Sequence, residues 1–120
     1  MVVWRKSMDL AQMVYSHTRS LPGEEMYGMI SQMRRAGTSI PCNIAEGQAR
    51  NNSGEFQQFI GIARGSVAEL ETWILLCERL GYLDLAGSEE LLTKCEEIQK
   101  LLTGLRKSLK PRERTRISTK

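Results

Sequence analysis

Four stretches of the chain repeat apolar residues at alternating steps of three and four, and this limits the fold more than any other feature. That step pattern holds one stripe of a helix against its neighbours. The first stretch runs Val3, Ser7, Leu10, Val14 and His17, widened by Trp4, Met8, Ala11 and Tyr15. The second is Met26, Ile30, Met33, Gly37, Ile40 and Ile44, and the third Phe56, Ile60, Ala63, Val67, Leu70, Ile74 and Cys77. Leu91, Cys95, Ile98, Leu102, Leu105 and Leu109 form the fourth. Four seams in 120 residues predict an all-α, antiparallel up-and-down four-helix bundle, because short loops between long helices favour antiparallel neighbours. Alternating apolar runs joined by tight turn pairs, the mark of hairpins, are missing.

The punctuation between the seams agrees. Pro22-Gly23 breaks the chain, and Glu24 and Glu25 complement the positive end of the second helix. Pro41 lies inside that seam and predicts one kinked helix rather than two, since its ring removes a backbone hydrogen bond and crowds the preceding turn. Gly47 is read as its stop. After a polar loop from Gln48 to Asn52, the pair Asn52 and Glu55 forms a capping box for a third helix from about Ser53 to Leu80. Gly81 has the character of a glycine stop, with Tyr82 and Leu83 supplying the hydrophobic contact behind it. Ser88, followed by Glu89 and Glu90, is taken to open the fourth helix, and Pro111 to end it. The expected organisation is a bundle over residues 1–110 and a basic, disordered tail over 111–120.

Charge is divided along the chain. From Arg106 onward seven Lys/Arg face only Glu113, a local +6, whereas everything before it sums to −3. The tail is therefore where attraction to a polyanion is plainest. Cys42, Cys77 and Cys95 lie far apart without a CxxC pair and read as small buried hydrophobes in a reducing compartment. His17 is the only histidine and has no ligand-spaced neighbour, so no metal or other cofactor is expected. The first residues lack the apolar run of a signal peptide, and no segment approaches the ~18 apolar residues that cross a bilayer. A soluble, cytoplasmic protein without membrane contact is the expectation.

The seams leave the polar residues in the middle unexplained. Arg35, Ser39, Asn43 and Glu46 follow one another at steps of four, four and three, making a polar stripe beside the second seam. Arg64 and Glu71 hold similar margins on the third helix. Such a stripe is either a solvated face or a surface where arginines and carboxylates pair between subunits. Gly61 and Gly65, with Ala68 beyond, cost the helix about 1 kcal/mol per glycine against alanine, which suggests that another backbone comes close.

These residues carry a resemblance. The blocks Ser31-Gln32-Met33-Arg34-Arg35-Ala36 and Ser39-Ile40-Pro41-Cys42-Asn43-Ile44-Ala45-Glu46-Gly47 are followed by Glu55-Phe56 and Phe59. Then come Ile62-Ala63-Arg64-Gly65-Ser66, Ala68-Glu69-Leu70-Glu71 and Leu80-Gly81-Tyr82-Leu83. Over roughly Val3 to Leu109 the chain closely resembles the four-helix-bundle proteins named after open reading frames in intervening sequences of bacterial 23S ribosomal RNA genes. The resemblance implies a left-handed bundle assembled as a homopentameric ring, with no established enzymatic activity. The family is similar to accessory proteins of diversity-generating retroelements, pentameric barrels whose basic surface binds nucleic acid. Two positions depart from the pattern: Cys42 stands where alanine or serine is common, and Trp73 where smaller or polar residues are usual. An exposed Trp73 would mark a contact surface.

Two function classes follow. In the first, a homo-oligomer binds RNA or DNA through Arg34, Arg35, Arg50, Arg64, Arg106, Lys107, Lys110, Arg112, Arg114 and Arg116, mostly at phosphates. In the second it is a protein-interaction scaffold without a nucleic-acid ligand. In both, Arg35, Ser39, Asn43, Glu46, Gly61, Arg64, Gly65, Glu69, Glu71 and Trp73 are the candidate oligomer interface. An enzyme is disfavoured: Glu69 and Glu71, two apart on a helix, point in different directions, and no nucleophile has an activating partner.

Overall fold

The computed structural model describes residues 1–109; Lys110, the stop at Pro111 and the tail lie outside the described residues. Four helices carry the chain: α1 Val2–Thr18, α2 Ser31–Gln48, α3 Ser53–Arg79 and α4 Leu85–Leu109. No strand occurs among the described residues. Cross-contacts fix the topology. Arg34 reaches Thr18 while Gly37 lies against Val14, so α1 and α2 are antiparallel. Ser39 meets Ser66 and Gly47 meets Phe56 and Phe59, which sets α3 antiparallel to α2. Gln99 bonds Arg64 and Ser88 bonds Glu78, and Lys6–Glu97 with His17–Glu90 closes α4 onto α1. The result is an up-and-down rod whose longest helix, α3 with 27 residues, spans about 40 Å.

The seams meet along its axis. Leu10, Val14, Met33, Ile40, Ile44, Ile60, Val67, Leu70, Ile74, Leu91, Ile98 and Leu102 are wholly or almost wholly buried. Ser7 and Thr18 are buried among them without cost, because each hydroxyl donates to a carbonyl one turn back in its own helix, Val3 and Val14, at 2.7 Å. The widening of the first seam is corrected: Ala11 is buried, but Trp4, Met8 and Tyr15 are exposed.

The second helix starts differently from the sequence reading. After Pro22 a 3-10 turn at Gly23–Glu25 and a wide π turn at Met26–Ile30 precede α2. The wider turn shifts the phase, so the consecutive residues Met29 and Ile30 both face inward while Met26 stays outside. From Ser31 the helix continues unbroken through Pro41, one helix as the seam implied.

Gly47 is not a stop. It is buried one residue inside α2, where a Cβ would stand 2.7 Å from Phe59 Cβ and 2.9 Å from Phe56 Cδ1. Its role is close approach of α2 to α3. Next to it the N-cap half of the capping box forms as expected, Asn52 Oδ1 accepting from the Glu55 backbone at 2.8 Å; the Glu55 carboxylate accepts from the Asn52 side-chain Nδ2 at 3.1 Å. Gly81, at φ +78°, ends α3 in a Schellman arrangement in which Tyr82 N–H bonds Cys77 O and Gly81 N–H bonds Glu78 O. Leu83 is buried behind it.

The start of α4 is three residues earlier than Ser88. Asp84 Oδ1 accepts the Gly87 N–H at 2.7 Å and is the cap, while Ser88 is buried and donates to the Glu78 carboxylate. Of the three cysteines, Cys77 and Cys95 are buried and Cys42 is exposed. Burial pushes the Cys77 thiol up to about 11 and Cys95 to about 12, so both stay protonated. Cys77 Sγ lies 3.1 Å and 3.4 Å from the sulfurs of Met29 and Met33.

The glycines give a test. Gly47→Ala is expected to destabilise the protein by about 1–3 kcal/mol through overpacking. Gly65→Ala, which adds a methyl to open space, should leave the bundle itself unharmed or firmer by up to about 1 kcal/mol. Thermal denaturation at low protein concentration checks the order, and a Gly47→Ala variant as stable as the parent would contradict the packing.

Candidate oligomer and nucleic-acid interface

The polar stripe on α2 divides in two. Arg35 and Glu46 are exposed at its ends. Its centre is turned toward α3: Ser39 and Ser66 share a hydroxyl hydrogen bond of 2.8 Å, and Asn43 Nδ2 donates to Ser39 O at 2.8 Å and to Ser39 Oγ at 2.9 Å. Each such bond contributes about 1 kcal/mol net, and together they pin the register of the two helices. Ser39 and Asn43 thus already have work inside one chain.

Gly61 and Gly65 behave differently from each other. The Arg106 guanidinium from α4 lies over Gly61, within 3.8 Å of where a Cβ would stand. At Gly65 nothing in this chain comes within 4 Å of that position. The outer side of α3 continues with Ala68, Glu69 and Thr72, all exposed, and with Ile62 at 51%, Leu75 at 48% and Leu76 at 39% exposure. Small residues in the centre and aliphatic ones at both ends make a shallow face that another helix can approach. Trp73 does not belong to it: the ring is half-buried and packed against the core. The exposed tryptophan is Trp4 on α1, beside Met1, Ala45, Gln48 and Ala49. Ile62, Leu75, Leu76 and Trp4 were missed because the seams account for apolar residues by assigning them inward.

The arginines fall into two groups. Arg34 donates Nε to Thr18 Oγ1 at 3.0 Å and stacks over Tyr15 at 4.5 Å. Arg50 faces Glu46 at 3.3 Å and Glu55 at 3.9 Å and covers the Phe59 ring at 4.8 Å. These two are engaged locally, although exposed pairs of this kind hold by only about 1 kcal/mol or less. Arg35, Arg64, Arg106 and Lys107 have no carboxylate within ion-pair distance among the described residues. Lys110, Arg112, Arg114 and Arg116 lie outside the described residues.

Antiparallel packing also sorts charge by position. Residues 1–9, 40–65 and 97–109 share one half of the rod and hold seven Lys/Arg against four Asp/Glu, a net +3. Residues 10–39 and 66–96 form the other half, with five against nine, a net −4. Glu71 lies in the acidic half, partly buried. Burial first, and the Glu96 carboxylate second, raise its carboxyl above the ordinary value. Among the described residues no group of three His, Cys, Asp or Glu is placed to hold a metal ion. No helix there is long and apolar enough to cross a membrane.

A family model described as 23S rRNA-intervening sequence protein matches residues 1–104. A crystal structure of a protein of unknown function from the S23 ribosomal protein family of Bacteroides thetaiotaomicron superposes with a TM-score of 0.80 at 29% identity. The match covers 88% of this chain and 98% of that one. No curated protein matches.

Glu71 supplies a pH test. Its folded pKa lies above the unfolded one, so the stability it contributes is present below the ordinary carboxylate range and is lost as pH rises through the folded value. Glu71→Gln is expected to remove that part of the pH dependence and to raise Tm at neutral pH. A lowered Tm instead would mean that the carboxylate meets a cation from another copy.

Proposed function

Because the chain belongs to the family of 23S rRNA-intervening sequence proteins, we propose that it is a non-enzymatic homo-oligomer that associates with nucleic acid through the positive half of its rod. The observation that carries this is the sorting of charge into a +3 half and a −4 half. The basic chain end adds to it, since α4 finishes in the positive half. Binding is to phosphate, weakly sequence-specific and governed by counterion release. The outer face of α3 around Gly65 supports self-association, because its small residues admit a helix of a second copy. A pentamer is the count that the sequence resemblance implies. The cytoplasm is the compartment of this reading, where nucleic acid is at hand and unpaired thiols stay reduced.

A second reading has its own support. If the exposed Ile62, Leu75 and Leu76 receive a different protein, the molecule is an interaction scaffold and its charges serve docking.

Light scattering and fluorescence anisotropy separate the two. The proposal expects a mass several times 13.6 kDa, reduced by Gly65→Arg. It also expects binding of single-stranded RNA or DNA that weakens about tenfold or more between about 50 and 200 mM salt, as for three or more neutralised phosphates. A monomer would end the oligomer claim, and no binding to either polymer at the lower salt would end the nucleic-acid claim.

A further inference from the structure

Arg106 on α4 lies over Gly61 of α3, one helical turn from Arg64. Gly61 and Arg64 are three apart and share a face of α3. Side chains on a helix lean toward its N-terminus, so Arg64 leans toward Gly61. Arg106 arrives at the same place from α4, its guanidinium lying on Gly61 where any larger side chain would stand. Gln99, seven residues before Arg106 on α4, anchors the floor by donating Nε2 to Arg64 O at 3.2 Å.

The hydrogen-bond balance here is unlike that of the rest of the molecule. Arg64 Nε, Arg106 Nε and Gln99 Oε1 are the buried side-chain polar atoms left without a partner among the described residues; Gln99 bonds Arg64, and Arg106 lies over Gly61 one turn away. A buried donor without an acceptor is costly, more so on a charged group. Neither guanidinium has a carboxylate within 4.0 Å among the described residues, whereas Lys6, Lys94 and Lys100 each have one and Arg50 has two. Two forked cations with unmet donors lack an acceptor of matching geometry, and a tetrahedral oxoanion offers oxygens to both.

We propose that Arg64 and Arg106, levelled by Gly61 and braced by Gln99, form a binding site for a phosphate group. The group is either a phosphodiester of a bound nucleic acid or a free phosphate. The polymer form of the proposal rests on the nucleic-acid reading above; the site itself does not.

The test uses the full chain in two arms. In the first, inorganic phosphate replaces chloride at matched ionic strength and thermal unfolding is followed. The parent is expected to gain about 3 °C, the rise produced by a ligand at several times its Kd. Arg64→Gln and Arg106→Gln should lose the gain, and Arg50→Gln, at a cation already paired, should keep it. Gly61→Leu keeps the net charge but displaces Arg106, so it should lose the gain too. Should the glutamine variants fail to fold, Arg64→Lys keeps the charge without the fork and should bind phosphate more weakly than the parent. An equal response to phosphate in the parent and in the Arg64 and Arg106 variants overturns the site.

In the second arm a single-stranded RNA is titrated at several salt concentrations. Each glutamine variant is expected to bind about tenfold more weakly and to lower the salt slope by about 1. A phosphate effect with unchanged RNA binding supports the site for a free phosphate. RNA binding weakened by neither variant, together with no phosphate effect, overturns the site while leaving the broader nucleic-acid reading to other cations.

Discussion

Burial of α3 holds the other helices in place. Ile60, Ala63, Val67, Leu70, Ile74 and Cys77 line its inner side without exposure, and α2 and α4 pack on it along most of its length. Removing one large side chain from such a row costs about 2–5 kcal/mol, a large part of the net stability of a domain this size. Polar contacts then choose among the ways that apolar rows can slide. Ser39 with Ser66 sets α2 against α3, and Ser88 with Glu78 sets α4. With these registers fixed, Arg106 lies over Gly61.

The helices were legible because periodicity and capping chemistry are local. Leu70 and Ile98 declare themselves by spacing, and Asn52 caps α3 on the Glu55 N–H as their spacing promises. Gly81 adopts the positive φ that only its lack of a Cβ makes cheap. Where the reading failed, the deciding partner lay elsewhere in the chain. Gly47 is small because Phe56 and Phe59 press on it, not because a helix ends there. Ser88 has the composition of a cap but is used up by Glu78, so Asp84 caps in its place. Trp4 and Trp73 exchange the roles expected of them, since a helix only half covered does not reveal from spacing which margin is wet.

The candidate site was less legible than the fold. Arg64 stands out in sequence, but Arg34 and Arg50 stand out equally, and only the folded chain distinguishes an arginine resting on Tyr15 or Phe59 from one whose donors are unmet. The sequence places Arg106 at the head of a basic tail; in the folded chain it belongs to a pair 42 positions removed in numbering from its partner Arg64. The division of charge was similarly hidden. Linear blocks suggested an acidic body and a basic end, whereas antiparallel packing redistributes the body into two halves of opposite sign.

That division has a kinetic meaning. A rod with cations gathered toward one extremity and carboxylates toward the other has a permanent electric moment along its long axis. In the field of a polyanion it experiences a torque before it makes any contact, and it turns its positive extremity forward during the approach. A larger share of encounters then begins in a productive orientation, which acts on the association rate and hardly on the lifetime of the complex. Added salt shortens the reach of the field, so it randomises the approach first and weakens the finished contacts afterwards.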